Sequence, residues 1–367
     1  MPMELKKEFE TRLTNIKNSL QDHENSCLIL TPGPNLRYLT GYKAKNLERL
    51  TCLLVYRDKS ILIVPELERL AAIDSGVDVE SVEIISWNEN QDPYKLIDLD
   101  KIDTLFIDDK MTADKLLNLS KIGSFKKILA SQILTKYRSI KSKYEMEELV
   151  KVGKMIDLVH DQIRDLYKKG DSEKSLAKKI GNTILDVGHE SVDFVIVASG
   201  ANSASPHHEP TEKPIENGDV LVIDIGGTSS SGYCSDSTRT YVVNNIDKEF
   251  EGKYLVLKNA QEQARKSATK NLTGAQLDLV ARNVLEYENL GKYFIHRTGH
   301  GIGMETHEEP YISTNNIHNL EIGNAFSIEP GFYIEGKYGA RIEDIVIKQE
   351  NNLICCNNST RDLVILN

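Results

Sequence analysis

Two glycine-rich stretches in the C-terminal half of the chain set acidic residues and histidines beside short apolar runs. The first, Leu221–Thr240, has the sequence LVIDIGGTSSSGYCSDSTRT; the second, His296–Glu343, contains HRTGHGIGMETHEEP, FSIEPGFYI and GARIED. A carboxylate among apolar strand residues is costly to bury unless a cation compensates its charge. These stretches therefore limit the possible folds more than any other part of the chain.

The first stretch supplies two aspartates. Asp224 lies in DVLVIDIGG, where apolar residues occupy both faces of a predicted strand. Asp236 follows 12 residues later, and a hairpin with its tip near Ser229 would return it to the same end of the neighbouring strand. Two carboxylates that close repel each other unless a metal intervenes. Taken singly, a turn cap for Asp224 and an ion pair between Asp236 and Arg239 are the simpler explanations.

The second stretch contains a cluster of histidines. His296, His300 and His307 fall within twelve positions of a chain that has nine histidines, and three glycines surround His300. Glycine at this density predicts an irregular backbone that passes close to another group. A neutral imidazole is a common metal ligand, although a lone histidine is more often an ordinary core or surface residue.

Two glutamates complete the candidate set. Glu329 in FSIEPG and Glu343 in ARIED lie on two predicted strands joined by a turn near residues 336–339, with a bulge allowed at Pro330. Alone, each is more simply an exposed strand residue. Together with the two aspartates and one histidine they offer hard oxygen ligands whose four negative charges nearly match two dications. A water that bridges two such metals is acidified into a hydroxide nucleophile.

Length and composition set the frame. A chain of 367 residues predicts two domains. The formal charge of −10 argues against nucleic-acid binding, which depends on neutralising phosphates. The N-terminus lacks the apolar core of a signal peptide and no run is long enough for a membrane span, so a cytoplasmic protein without a membrane partner is expected. The five scattered cysteines are expected to be reduced thiols.

The order of apolar patterns predicts how the domains are built. A helix over residues 3–20 and short strands interleaved with helices predict an α/β domain over residues 1–133, in which Thr31–Tyr42 is expected to be a loop. Residues 134–142 are expected to form a linker. Ser142 and Glu145 have capping-box spacing at the start of the next helix. Residues 143–367 mix helices with antiparallel-type strands, which predicts an α+β catalytic domain.

Further elements are expected within the second domain. The predicted helices lie near residues 173–187, 248–268 and 275–287, and the predicted strands near 194–198, 220–225, 240–243, 325–334 and 341–348.

The motifs resemble a known family. DIGG, GYCSDSTRT, HRTGHGIGMETHEEP, SIEPGFY and GARIEDIV occur in the order found in the pita-bread metallopeptidases (family M24), and ANSASPHHEPT at Ala201–Thr211 adds another signature. The whole chain looks like the Xaa-Pro dipeptidase (prolidase) and aminopeptidase P branch, because PNLRYLTGY is similar to the motif of the creatinase-like N-terminal domain. The implied fold is α+β: a pita-bread, creatinase/aminopeptidase-like catalytic domain preceded by a smaller α/β creatinase-like domain.

The resemblance assigns roles to particular residues. It implies that the metal ligands are Asp224, Asp236, His300, Glu329 and Glu343. It implies that His207, His296 and His307 bind substrate and handle protons, and that Arg341 and Glu329 are also catalytic. The tandem His207-His208 leaves the alignment open by one position, and His207 is preferred because it follows Pro206. The spacing of the two aspartates exceeds the family pattern by one residue, which is assigned to an extra serine in the hairpin tip.

The resemblance also implies an activity. The expected reaction is hydrolysis of the peptide bond before proline, with Xaa-Pro dipeptides as substrates and a metal-bridging hydroxide as nucleophile. Two divalent metal ions per subunit are expected, manganese first and cobalt, zinc or iron as alternatives, in a homodimer. One alternative is an aminopeptidase P that acts on longer Xaa-Pro peptides. A more distant alternative is a non-enzymatic binding module on the same fold, although such proteins lose ligands and none is missing here.

Overall fold

The computed structural model describes residues 3–78 and 80–367, and they divide into two compact units, the first ending at Arg138 and the second beginning at Ser139. No helix in these ranges has the length and apolar character needed to cross a membrane.

The first unit is a six-stranded mixed sheet with helices. Its strands are β1 (Ser26–Leu30), β2 (Cys52–Val55), β3 (Ser60–Pro65), β4 (Glu83–Trp87), β5 (Thr104–Ile107) and β6 (Lys126–Leu129), in the order β4-β3-β2-β1-β5-β6. Its helices are α1 (Met3–Gln21), α2 (Pro34–Thr40), α3 (Arg69–Asp74), α4 (Ala113–Ile122) and α5 (Ser131–Ser139). Strands β1, β2 and β3 pair antiparallel, whereas the outer strands pair parallel. This is the α/β domain that the sequence predicted.

The second unit has four helices and three sheets. The helices are α6 (Lys143–Leu166), α7 (Glu173–Asp186), α8 (Lys248–Ser267) and α9 (Gly274–Tyr287). One sheet has the order β17-β9-β8-β7, with β7 (Ser191–Ser199), β8 (Val220–Thr228), β9 (Ser237–Val243) and β17 (Val364–Leu366). The second has the order β11-β10-β12-β15-β16, with β10 (Gly299–Gly301), β11 (Glu308–Ile312), β12 (Ala325–Ile328), β15 (Asp344–Lys348) and β16 (Leu353–Cys355). The third is the hairpin of β13 (Gly331–Ile334) and β14 (Tyr338–Arg341).

Each pair of helices covers one of the larger sheets. Helices α6 and α7 bury residues such as Ile156 and Ile180 against the side of β8 that carries Leu221 and Ile223. Helices α8 and α9 pack on the other large sheet through residues such as Leu257 in the cluster that includes Phe326 of β12. Because side chains alternate along a strand, Asp224 points away from Leu221 and Ile223, towards the opposite face of β8. The predicted fold class is confirmed.

The Ser142 capping box is present as predicted. Ser142 Oγ accepts from the Glu145 backbone N–H, and Glu145 Oε2 accepts from the Ser142 N–H. Both bonds satisfy donors that would otherwise lack partners in the first turn of α6.

The structure differs from the sequence-based expectation at three places. Within Thr31–Tyr42, predicted as a loop, Pro34–Thr40 form α2: the proline ring is tolerated in the first turn, and Gly41 ends the helix at a φ of 75°. Most of the predicted linker 134–142 belongs to α5, whose Ile133 and Leu134 are buried. The single strand predicted over residues 325–334 is two strands, because Pro330 has no N–H to continue the ladder.

Candidate metal centre

The hairpin of β8 and β9 brings Asp224 and Asp236 to one end of neighbouring strands. Asp224 lies opposite Thr238 in the antiparallel register, and Asp236 directly precedes β9. The hairpin turns at Ser229, whose N–H donates to the carbonyl of Tyr233 at 3.0 Å. Both aspartates are buried, with 8% and 3% of their surface exposed. The tip therefore lies where the sequence placed it, near Ser229.

Strand β10, which carries His300, passes close to the backbones of Ser327 and Glu309. A Cβ at Gly299 would lie 2.0 Å from the carbonyl oxygen of Ser327, and one at Gly301 would lie 2.4 Å from Glu309. Only glycine permits this approach of three backbones. Nδ1 of His300 lies 3.1 Å from the carbonyl of Gly301, which accepts its proton and leaves the Nε2 lone pair facing the carboxylates.

Glu329 and Glu343 flank the paired strands β12 and β15. Ile328 lies opposite Asp344 in this ladder, so the residue after β12 and the residue before β15 share one end of the sheet. The N–H of Glu329 donates to the carbonyl of Thr298 at 2.8 Å, and the N–H of Glu343 donates to the carbonyl of Thr238 at 3.1 Å. These bonds hold both glutamate backbones against the strands that carry the other candidates.

The five predicted ligands converge. Nε2 of His300 lies 3.6 Å from Oδ2 of Asp236, 3.2 Å from Oε1 of Glu329 and 3.9 Å from Oε1 of Glu343. Oxygen atoms of Asp224, Asp236 and Glu343 lie within 4.8 Å of one another. Three overlapping groups therefore each offer three donor atoms to an ion: His300 with the two glutamates, the two aspartates with Glu343, and Asp236 with His300 and His307.

The electrostatics of the cluster call for cations. Burial raises the pKa of Asp236 well above its usual value, and the charges of Glu343, Asp224 and Glu329 raise it further. Burial and the neighbouring Glu329 and Asp224 likewise raise the pKa of Glu343. Oε1 of Glu343 is buried without a hydrogen-bond partner in the part of the chain that the structure describes. A buried carboxylate oxygen with no donor is costly unless a cation takes that place, so this donor set fits divalent metal ions.

Three residues organise the carboxylates, and only one of them, Arg341, was predicted from the sequence. Thr238 Oγ1 lies 2.8 Å from Oδ1 of Asp224 and 2.9 Å from Oε2 of Glu343. Arg341 donates from Nε to Thr238 Oγ1 at 3.0 Å and from Nη1 to the hydroxyl of Tyr333 at 2.7 Å. Thr238 is two residues from Asp236 and so shares its strand face, a signal available in the sequence. Tyr333 carried no such signal.

The three predicted histidines have different surroundings. His296 has a partner for each ring nitrogen: Nδ1 lies 2.7 Å from the carbonyl of Arg297, and Nε2 lies 2.9 Å from the hydroxyl of Tyr333. His307 is exposed and its ring centroid lies 4.0 Å from that of His300. Although the residue as a whole is exposed, its imidazole lines the cavity, and the desolvation of the ring there and the nearby His300 lower the pKa of His307 to about 4, so the imidazole is neutral near pH 7.

The tandem histidines point to different places. His207 lines the cavity, as Pro206 does. His208 turns away from it, with Nε2 2.8 Å from Oε2 of Glu173. The structure therefore sets His207 beside the metal candidates, the alternative that the sequence favoured.

All five ligand candidates line one cavity of about 480 Å³. Its other walls combine apolar and basic side chains. The remaining lining residues are Phe194, Ile196, Pro206, His207, His296, Arg297, Thr306, His307 and Arg341.

Comparisons with known proteins agree with this architecture. The model of metallopeptidase family M24 matches residues 147–350, and that of the creatinase/prolidase N-terminal domain matches residues 12–159. The chain is 39% identical over 344 residues to a probable dipeptidase PepE of Mycobacterium bovis, with 92% of each chain covered. It is 31% identical over 374 residues to a Xaa-Pro dipeptidase of Lactobacillus helveticus, covering 96% of this chain and 98% of that one.

A solved structure shares the whole fold. The prolidase from Thermococcus sibiricus superposes with a TM-score of 0.91 at 34% identity, covering 98% of this chain and 99% of that chain. The family model covers more than half of the chain and the motif order agrees with it, so the chain belongs to metallopeptidase family M24.

Proposed function

We propose that the protein hydrolyses the peptide bond before proline in Xaa-Pro dipeptides, using two divalent metal ions. The observation that carries the proposal is the convergence of four carboxylates and one imidazole on a cavity that also has apolar walls. Asp224, Asp236 and Glu343 would hold one ion and His300, Glu329 and Glu343 the other, with Glu343 shared between them. We also propose manganese as the native metal, a homodimer as the assembly and the cytoplasm as the compartment.

A pair of divalent cations at this centre supplies Lewis acidity towards the scissile carbonyl and acidifies water near neutral pH. The mixed oxygen and imidazole donors suit manganese, cobalt, iron or zinc. The remaining steps belong to side chains of this protein.

Glu329 is the candidate for proton transfer. Its carboxylate is partly exposed to the cavity and bonded to its own strand, where Ser327 Oγ lies 3.2 Å from Oε1. We infer that Glu329 accepts the proton of the attacking water and delivers it to the proline nitrogen as that nitrogen leaves. A carboxylate in this position acts first as general base and then as general acid.

His307 is the better candidate of the two histidines for the oxyanion. Neither of its ring nitrogens has a hydrogen-bond partner among the described residues, whereas both nitrogens of His296 are engaged. A neutral imidazole can donate one N–H to the charge that develops on the carbonyl oxygen. We infer that His296 instead holds Tyr333 in place beside Arg341.

The apolar part of the cavity suits a proline ring. Phe194, Ile196 and Pro206 line the same cavity as His207. A peptide nitrogen of proline has no N–H, so a pocket that grips the ring rather than the N–H gains selectivity for this residue. These walls support a substrate with proline after the scissile bond.

Arg297 supports a short substrate. It lines the cavity, its guanidinium stacks over Tyr311 at 4.4 Å from the ring centroid, and no carboxylate pairs with it among the residues that the structure describes. Arg341, the second lining arginine, is already paired with Asp224. An arginine without an acidic partner is well suited to bind the terminal carboxylate of a dipeptide.

The test is reconstitution of metal-free protein with manganese, cobalt, zinc or iron, followed by assays on Xaa-Pro and Xaa-Pro-Yaa peptides. We expect proline release from Xaa-Pro, highest with manganese, and little cleavage of the longer peptide. Cleavage of Xaa-Pro-Yaa alone would assign the aminopeptidase P activity instead. Stoichiometric metal uptake without hydrolysis of either peptide would contradict the proposal, and absence of metal uptake by the folded protein would contradict the metal centre.

A further inference from the structure

A fully buried carboxylate outside the metal centre, that of Glu173, is bonded to a segment that borders the cavity. Glu173 is the first residue of α7 and none of its surface is exposed. Oε1 accepts from the backbone N–H and the hydroxyl of Ser199, each at 2.8 Å, and from Asn202 at 3.0 Å. Oε2 accepts from the hydroxyl of Thr211 at 2.8 Å and its N–H at 3.1 Å, and lies 2.8 Å from Nε2 of His208. One side chain thus joins both ends of the segment 199–211.

The start of α7 reinforces this attachment through its backbone. The N–H of Glu173 donates to the carbonyl of Lys213 at 3.1 Å, and the N–H of Lys174 donates to the carbonyl of Thr211 at 2.9 Å. Helix N–H groups that have no partner within the helix are thereby satisfied by Thr211, the last residue of the segment, and by Lys213 just beyond it. The positive end of the helix dipole also favours the Glu173 carboxylate at this position.

The middle of the segment contacts the hairpin of β13 and β14. The N–H of Gly339 in β14 donates to Ser203 Oγ at 2.8 Å, and a Cβ at Gly339 would lie 2.2 Å from the carbonyl of Ser203. Arg341 Nη1 lies 3.4 Å from the carbonyl oxygen of Pro206. The segment is therefore held by Glu173 at both ends and by β14 in the middle, with Pro206 and His207 facing the cavity between these attachments.

From this geometry we propose that Glu173, together with His208, is a positioning residue for substrate: it fixes the segment 199–211 so that Pro206 and His207 keep their places in the cavity. The inference rests on the proposed function, because it gives the segment a role in binding the peptide. The adjacent residues His207 and His208 have different roles, one towards the substrate and one towards Glu173. His208 bonds to the buried carboxylate, so its neighbour His207 is directed to the substrate side.

Glu173→Gln tests the proposal with little change in volume. In the glutamine side chain an NH2 group replaces one carboxylate oxygen, for example the one to which His208 and Thr211 now bond. An NH2 group donates and does not accept, so at least one buried donor loses its partner. Asp171→Asn is the matched control. Asp171 lies two residues earlier and bonds to Lys179, Ser175 and the N–H of Lys168, none of which lies in the segment 199–211.

Two readouts separate positioning from general stability. For Glu173→Gln we expect a KM for Xaa-Pro raised by about tenfold with kcat changed less than about threefold, and unchanged metal stoichiometry. In the metal-free protein, amide hydrogen exchange of residues 199–211 should accelerate by about tenfold, because exchange follows local opening. Asp171→Asn should lower the melting temperature and leave KM and this exchange within about twofold of wild type.

His208 supplies a second pair of variants. Because this residue is only half-buried, both variants should fold. His208→Leu removes the donor to Glu173 and should raise KM and accelerate exchange of the segment, whereas His208→Gln keeps a donor and should restore both. The proposal would be overturned if His208→Leu and Glu173→Gln kept the wild-type KM and the wild-type exchange of residues 199–211. It would also be overturned if Asp171→Asn changed KM and this exchange as much as Glu173→Gln does. If wild-type protein fails to hydrolyse Xaa-Pro but the exchange differences appear, the attachment of the segment 199–211 by Glu173 and His208 is supported and the proposed function fails.

Discussion

Arg341 donates a hydrogen bond from Nη2 to Oδ2 of Asp224 across 2.5 Å, and both side chains are buried. The same guanidinium reaches Tyr333 and Thr238, and the Thr238 hydroxyl in turn contacts both Asp224 and Glu343, so Arg341 holds one predicted ligand directly and a second through Thr238. Changing a group that orients metal ligands typically lowers metal affinity or activity by about 10–100-fold.

Arg341→Lys keeps the charge but not the planar fork, so the lysine reaches one of these partners at a time. We expect kcat/KM to fall by roughly 10–100-fold while metal is retained, because the ligands are still present but less well oriented. Steady-state kinetics with metal analysis measures this. Arg265→Lys, a half-buried arginine that does not line the cavity, is the control. Wild-type kcat/KM in Arg341→Lys would show that orientation by Arg341 is unimportant.

Glu343→Gln should change stability with opposite signs in the presence and absence of metal. Without metal, the substitution removes one of several buried like charges and should raise the melting temperature. With metal, wild-type protein gains on the order of 3 kcal/mol at a 100-fold excess over Kd, and the variant should lose most of that gain. Calorimetry in chelator and in manganese compares the two. Glu335→Gln, at an exposed position of the neighbouring hairpin, should change neither melting temperature, and parallel effects in both conditions would contradict the assignment of Glu343.

Patterns that depend on nearby residues predicted much of this fold. The Ser142 capping box and the hairpin between Asp224 and Asp236 follow from spacing and turn chemistry over a few residues. Helix α2 was missed because proline and glycine in Thr31–Tyr42 were taken as signs of a loop, although proline is tolerated in the first helical turn and glycine is common just beyond the last. Local signals of this kind support more than one structure until packing selects among them.

The candidate ligands could be named from motifs, but their supporting contacts could not. Tyr333 lies eight residues before Arg341 and meets it because β13 and β14 pair with Gly331 opposite Arg341. The separate roles of His207 and His208 depend on Glu173, more than thirty residues earlier in the chain. Contacts at such separations arise from the packing of strands and helices, and a single sequence carries little trace of them.

His160 should make stability fall in mild acid. It is buried, with Nδ1 2.9 Å from the Tyr241 hydroxyl and Nε2 3.1 Å from the carbonyl of Ser237. Burial, with the charge of Arg239, lowers its pKa to about 3 despite the opposing effects of that carbonyl and Asp344. Below about pH 6.5 the imidazole of His160 binds a proton in the unfolded chain but stays neutral in the folded protein. The stability from neutral His160 is therefore complete above that pH and is lost as the pH falls towards 3.

The measurement is the free energy of unfolding in urea between pH 7.5 and pH 5. Wild type should lose about 2 kcal/mol more than His160→Gln across this interval, since each pH unit below the unfolded pKa costs roughly 1.4 kcal/mol. His318→Gln, at an exposed histidine, should follow wild type. Parallel curves for wild type and His160→Gln would show that His160 accepts its proton at the ordinary pH in the folded state.

Arg297 should be the residue that makes the protein bind substrates with a free carboxylate on proline more tightly. Its guanidinium lines the cavity and stacks over Tyr311, but pairs with no acidic group among the residues that the structure describes. For Arg297→Gln we expect KM for Xaa-Pro to rise by roughly 10–100-fold with little change in kcat, because a charge-assisted hydrogen bond to bound substrate is lost. An Xaa-Pro amide lacks that carboxylate, so wild type and variant should hydrolyse it equally well. Lys292→Gln removes an exposed cation five residues earlier in the chain that does not line the cavity, and it should leave the hydrolysis of both substrates unaffected. Equal losses for acid and amide in Arg297→Gln would mean that Arg297 shapes the cavity without binding the carboxylate, and a preference for longer peptides would then be the better description of the enzyme.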